Sequence, residues 1–377
     1  MKARYFKILF RNVNDGIFHI FSLWDTYSNR KINVAYVSGA SEAIPHIANE
    51  DIRFANDTCE LDILAIASLD LYYLEQVVGM LDSRNIHCIV MPYISKTDRR
   101  ILMDQIKFQE SATELTLSDA SMAFLKDPYY YAKSKGVEEF IYLSGNGPAY
   151  DGTEMMEGQY FKPVDLELEQ QIEKEEGYYF PVYQAGYLIL NRWVFSFGVY
   201  QGNEFPTLIL YHGSLEDNTL RDDCVMVVKP FSLIEPCTGS LQGEEDLCNY
   251  QCTHRGDYDC MKRHNKNGTK EYQNGTLLLG NMVLPDNIDD LYQRYAYVKE
   301  KIRFISIPNC GARENWGYRV LGFGKEHNYH YFVGPANSLS DAETIRSITT
   351  LSPYIRYAMT NEYFGLCGTG FLKERTP

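Results

Sequence analysis

Three apolar stretches open the chain. Tyr5 to Arg11, Ile17 to Trp24 and Ile32 to Val37 alternate or run apolar between breaks rich in Asn, Asp, Gly and Ser, the pattern of consecutive antiparallel strands. Ala40 to Asn49 suits a short helix. The next apolar run, Ile63 to Ala67, reads as a strand that stops at Ser68, after which the period becomes helical, with Leu71, Leu74, Val77, Val78 and Leu81 on one face. This strand-to-helix elbow carries Ser68, Asp70, Tyr72 and Tyr73. In an α/β protein the crevice outside the carboxyl end of a strand is where ligands and catalytic groups gather.

The alternation continues downstream. His87 to Met91 is a buried strand stopped by Pro92, Thr97 to Glu110 reads helical, Ala120 to Lys135 is helical on either side of Pro128, and Gly136 to Leu143 is a turn into a strand. A βαβα order of this kind predicts a mixed sheet with helices on its outer face. Residues 144–177 are polar and acidic, including the run Glu167 to Glu176, and predict a loop excursion with one charged helix; a solvated face is the first reading and a partner-docking segment the second. From Tyr178 strands return at Tyr187 to Ile189, Trp193 to Tyr200, Thr207 to Tyr211, Cys224 to Pro230 and Thr276 to Leu279. A helix at Ile288 to Lys299, strands at Ile302 to Ile307 and Tyr329 to Val333, a helix at Ala342 to Leu351 and a strand at Ile355 to Thr360 complete the pattern. Two strand-rich halves, each ending in helices, predict an α/β (α+β) fold of four layers, an αββα sandwich, spanning 1–377 as a single domain.

Composition narrows the functional classes. With 45% apolar and 14% aromatic residues in 377, the chain can bury a large core. Its 36 basic and 50 acidic residues leave a net charge of −14, which repels phosphate backbones and argues against non-specific nucleic-acid binding. The opening MKARYFKILFRN interrupts its only apolar run with charges and lacks a small-residue cleavage site, and no uncharged apolar run is long enough to span a bilayer. The expectation is a cytoplasmic protein without a membrane segment.

Of the nine cysteines, five (Cys59, Cys88, Cys224, Cys310 and Cys367) are scattered, as expected of reduced thiols acting as small hydrophobes. The other four, Cys237, Cys248, Cys252 and Cys260, fall with His254 and His264 in a Gly-, Asp-, Asn- and Lys-rich insert, 235–272, that has too few apolar residues for a core. A tetrahedral Zn²⁺ on the four thiolates, with His254 or His264 as alternates, would order such a segment. The spacing C-x10-C-x3-C-x7-C is not that of a standard finger. A disordered loop with incidental cysteines and a pair of disulfides are the competing readings, the latter disfavoured in a reducing compartment. A knuckle at a hairpin tip is a natural place for a protein partner.

The order of several turns resembles metallo-β-lactamase-fold hydrolases, in particular the branch related to the DNA-uptake protein ComEC. In that family the third strand ends in Asp-Gly; here Val37-Ser38-Gly39 puts Ser38 at the aspartate. The elbow resembles the strand leading into Ser-His-x-(His/Asp)-x-Asp-His, with Ser68 at the first histidine, Asp70 keeping the second position in its aspartate form, and Tyr72 and Tyr73 at the Asp-His pair. Gly275 to Asn281 is similar to the strand ending in Thr-Gly-Asp, with Asn281 at the metal-bridging aspartate. Ile305 to Trp316 resembles a strand followed by Pro-His-His-Gly-Ser and Asn-Trp, with Asn309 and Cys310 at the histidines. Gly334 to Ala342 resembles Gly-x-x-Asn-x-Tyr-x-His-Pro, with Asp341 at the last histidine; Asp341 also suits a helix N-cap.

The resemblance therefore implies the fold with its metal-ligand histidines lost. A binuclear hydrolase needs histidines and carboxylates to lower the pKa of a bound water, and neutral amides and phenols are poor substitutes. The implied protein is a catalytically degenerate one, a pseudoenzyme with no active-site metal, that binds a protein partner or holds a small molecule in the vacated crevice. Degenerate members of the wider family look like subunits of multi-component bacterial, defence-type systems. The alternative is a metal-dependent hydrolase, phosphodiesterase-like, with a site rebuilt from Asp70, Cys310 and Asp341. His212, in His212-Gly213-Ser214 at a strand end, reads as a structural histidine before a catalytic one. A Cys310 nucleophile served by His212 or Asp341 is a further enzyme reading, though nothing in the sequence puts them in contact. The dinucleotide fingerprint G-x-G-x-x-G is absent, since His327 stands at the third glycine after Gly322 and Gly324.

Overall fold

The computed structural model describes residues 3–12, 17–25, 28–38, 60–69, 71–112, 117–164, 180–203, 205–215, 224–232, 275–323, 330–335, 344, 346–348, 355–360 and 364–373. The fold is mixed α/β, a large β-sheet with several helices against it. The opening strands are β1 (Ala3–Asn12), β2 (Ile17–Asp25) and β3 (Arg30–Ser38), antiparallel as the alternation predicts. The chain then turns parallel through β4 (Glu60–Ile66), β5 (Asn85–Pro92) and β6 (Glu139–Asn146). Helices α1 (Leu71–Ser83), α2 (Lys96–Ala112), α3 (Asp119–Lys126) and α4 (Pro128–Ser134) fill the crossovers. Asp127 ends α3 and caps α4, accepting a hydrogen bond from Tyr130 N at 3.1 Å while Pro128 takes the first helical position, so the helical run breaks where the proline predicts.

The second half carries β7 (Gly158–Pro163), β8 (Val182–Leu190), β9 (Trp193–Gln201), β10 (Pro206–Ser214) and β11 (Cys224–Ser232). It continues through β12 (Gly275–Leu278), α5 (Leu284–Arg294), β13 (Ile302–Ser306), β14 (His330–Pro335), β15 (Ile355–Thr360) and β16 (Phe364–Lys373). The strands run in the order β11-β16-β1-β2-β3-β4-β5-β6-β8-β9-β10-β12-β13-β14-β15, with β7 on β8.

Two strands depart from the sequence reading. β7 lies inside the stretch read as a loop excursion, where it pairs antiparallel with β8; its residues are exposed or half-buried, so it lacks the apolar run that marks a core strand. β16, beyond the last predicted strand, pairs with both β1 and β11; its glycine-rich sequence hides a β pattern that its neighbours supply. The charged run 167–176, the insert 235–272 and the predicted helix at 40–49 lie outside the described residues.

Both faces of the central strands are covered. Along β4, Leu64 and Ile66 join one apolar cluster with Leu74, Val77, Val78 and Leu81 of α1 and Phe124 of α3. Their neighbours Ile63 and Ala65 point the other way, into a second cluster with Phe6, Ile8, Phe10, Trp193, Phe195, Leu208, Leu210 and Phe304. The same period-two switch runs along β10, where Ile209 and Tyr211 enter a third cluster with Leu277, Ile305 and the α5 residues Ile288 and Leu291. A strand buried on both faces is apolar at nearly every position, which is why β4 and β10 read as near-continuous runs, with Asp62 and His212 as polar exceptions that have their own partners. Each fully buried Leu, Ile or Phe contributes about 1.5–3 kcal/mol, so the middle cluster, fed by strands from both ends of the chain, ties the halves together.

Candidate functional site

Four of the turns singled out by sequence meet at one edge. Ser38 ends β3, Ser68 follows β4, Asn281 follows β12 and Asn309 follows β13. The strand ends are stitched by backbone: Ala67 N donates to Val37 O at 2.9 Å and Leu208 N donates to Ala67 O at 2.7 Å, joining β3, β4 and β10. Tyr36 adds a bond from its hydroxyl to the Leu208 carbonyl at 2.7 Å. At Gly280 the backbone takes φ +53°, and a Cβ there would lie 2.4 Å from Thr207 Oγ1 and 2.9 Å from the Tyr36 hydroxyl. Glycine is therefore required, and it delivers Asn281 to the crevice.

Asn281 is the hub. Its side-chain Oδ1 accepts from Ser38 Oγ at 3.5 Å, its Nδ2 donates to Ser68 Oγ at 3.4 Å, and its backbone N–H donates to Thr207 Oγ1 at 3.2 Å. The two side-chain bonds are long and weak. Asn309 sits beside it at φ +40°, donating its backbone N–H to Gly280 O at 2.9 Å and its Nδ2 to Asn315 Oδ1 at 2.9 Å. Asn315, fully buried, donates onward to Asn203 Oδ1 at 2.7 Å and to the Asn281 and Met282 carbonyls at 3.0 and 3.1 Å. Asn203, Thr207 and Asn315 were not candidate site residues from sequence: Asn203 and Asn315 are single polar residues in turns, and Thr207 stands near the start of β10 as one polar position in an apolar run.

The described part of the crevice is thus hydroxyls and amides that satisfy one another. Such a donor set does not fit a binuclear metal centre, which takes imidazoles and carboxylates, and among the described residues no group of three or more His, Cys, Asp or Glu side chains could hold a metal ion. Asp70 and Asp341 lie outside the described residues, as do the side chains of Tyr72, Tyr73 and Cys310, and so do Cys237, Cys248, Cys252, Cys260, His254 and His264.

His212 lies away from this edge, in the middle cluster. It is fully buried, with Nε2 2.8 Å from Nε2 of His19, a partner the sequence gave no reason to suspect. Phe10, Phe21, Trp193 and Phe195 pack around the pair. Trp193 Nε1–H, which can only donate, reaches His212 Nδ1 at 3.3 Å. This assigns the tautomers: His212 carries its proton on Nε2 and gives it to His19 Nε2, which leaves the His19 proton on Nδ1. A further proton on either ring would face an N–H. Burial holds His19 down to about 3, with the nearby Leu9 backbone a smaller opposing influence, and holds His212 well below its ordinary value, with His19 adding to the effect. The pair is a neutral core element and is not placed to serve Asn281 or Asn309 as a base.

Among the described residues, no helix is long and apolar enough to cross a membrane. No protein-family model matches the chain, and no curated protein matches it.

Proposed function

We propose that the chain is a catalytically degenerate metallo-β-lactamase-like protein that works by binding, as a partner-binding or scaffold subunit. The three stacked apolar clusters, helices against sheet, sheet against sheet and sheet against helix, support an αββα reading of the fold. The observation that carries the functional reading is the network of Ser38, Ser68, Asn281 and Asn309, which stand at or beside the positions where the resemblance calls for metal ligands, with Asn315 bonded to Asn309 behind them. Among the described residues the crevice presents only neutral hydroxyls and amides, which lower the pKa of a water poorly but can exchange their mutual hydrogen bonds for those of a ligand. A structural zinc in 235–272 and a place in a multi-component bacterial system of the defence type belong to the same proposal.

The test is metal content and turnover on one preparation. The expected result is about one zinc per chain, lost in a Cys248→Ser/Cys252→Ser double variant, and no cleavage of a phosphodiester such as bis(4-nitrophenyl) phosphate with added Zn²⁺ or Mn²⁺. Turnover that follows metal retained in the double variant would overturn the reading in favour of a hydrolase site at Asp70, Cys310 and Asp341.

A further inference from the structure

A second polar site stands outside the crevice, on the helical side of the first cluster. Lys96, Arg99 and Arg100 in the first turns of α2, Lys126 in the last turn of α3, Asp127 between α3 and α4, Met103 and Phe180 line one cleft of about 120 Å³. Four cations meet one carboxylate in a protein whose net charge is −14, so the local sign is opposite to that of the whole. The carboxylate is already engaged: Asp127 Oδ1 accepts the Tyr130 amide as the cap of α4.

The cations are not there by default as a solvated face. Arg99 is 4% exposed, and its Nη1 donates to Ile94 O at 2.8 Å, which fixes the guanidinium against the chain that leaves β5. Arg100 and Lys126 are exposed, and Lys126, Lys96 and Arg99 all act electrostatically on Asp127, so several cations share one carboxylate. Positive charges held this close repel one another, and an arrangement of them around a concave site is stabilised by an anion. Arginine forks and lysine ammonium groups suit a phosphate, which offers several acceptor oxygens to donors from different directions. Phe180 and Met103 supply an apolar wall. The small volume and the acidity of the rest of the surface disfavour a polyanionic chain, which would have to run past repelling charge on leaving the cleft.

We propose that this cleft binds a small phosphate monoester, its phosphate among Lys96, Arg99, Arg100 and Lys126 and its organic part against Phe180 and Met103. The experiment is titration calorimetry of the full chain at fixed ionic strength, with inorganic phosphate and phenyl phosphate as probes. Arg100→Gln/Lys126→Gln removes two exposed cations without touching the buried Arg99, and Lys162→Gln/Lys299→Gln removes the same charge elsewhere. Saturable binding of both probes is expected, tighter for phenyl phosphate, weakened by about tenfold or more in the first variant and unchanged in the second, since each charge-assisted hydrogen bond carries that order of effect. Absence of saturable binding, or the same loss in both variants, overturns the site. Equal affinity for the two probes overturns the organic monoester.

Discussion

The buried pair His19–His212 makes the stability of the protein depend on pH in a calculable way. Both folded pKa values lie below the unfolded value of about 6.5, so between that value and the folded ones the unfolded chain binds more protons and stability falls as pH falls. Taking the protein from about pH 7.5 to about pH 5.5 charges both imidazoles in the unfolded state and neither in the folded one. Each then contributes about 1.4 kcal/mol of destabilisation, and the two together about 2.7 kcal/mol. The window sits above the range in which most carboxylates titrate. Urea unfolding at the two pH values, followed by fluorescence of Trp193 against the His212 ring, reads the change in midpoint. His19→Gln/His212→Gln removes both titrations and keeps a polar side chain at each position, while every other histidine is common to the two proteins. The wild type should lose about 2.7 kcal/mol more than the variant over this window, and His19→Gln alone about half that excess. If wild type and double variant lose the same amount, the histidines are not held neutral by the core and the tautomer assignment is wrong.

Three further outcomes test the crevice and its supports. Gly280→Ala places a Cβ against Thr207 Oγ1 at a positive φ, and should cost about 2–4 kcal/mol in the same unfolding assay. Arg294→Met removes a buried guanidinium that donates to the carbonyls of Gly147, Ala185 and Phe197, binding α5 to the β6–β8 and β9 backbones; a loss of about 3–5 kcal/mol and a lower thermal midpoint are expected. Asn281→Asp replaces an amide by a partly buried carboxylate, whose folded pKa should rise, so its cost of about 1–2 kcal/mol near neutral pH should shrink as pH falls through that pKa. An unchanged pH profile of stability in this variant would mean that position 281 is better hydrated than its contacts to Ser38 and Ser68 imply.

Most of the fold was legible because burial on both faces leaves a plain mark. β4 and β10 are apolar at successive positions, and α1 shows its buried stripe at Leu74, Val77, Val78 and Leu81. β7 and β16 carry no such mark, since one is an exposed partner of β8 and the other is held by the strands on its two sides. The crevice was legible for a different reason: the turns at Ser38, Ser68, Asn281 and Asn309 end strands, and strand ends can be read from the apolar runs that precede them. What joins them could not be read. Asn315 reaches Asn203 across 112 positions and His19 reaches His212 across 193, and a single polar residue in a turn or an apolar strand does not announce such a partner.

The polar groups of the crevice also explain how strand ends built to converge can stay together without charge. Acids and imidazoles gathered at one point repel or must be neutralised by an ion, whereas an amide is both donor and acceptor and a hydroxyl can be either. Asn281 uses both ends of its amide, toward Ser38 and Ser68, and Asn315 distributes one NH₂ among Asn203 and two carbonyls. Each such bond adds only about 1 kcal/mol, but leaving any buried member unpaired costs more than the bond contributes, so the set holds the four turns in register. The described side chains of such an edge carry no formal charge. The cleft at α2 and α3 is the contrasting case, where four cations line the wall and face one engaged carboxylate.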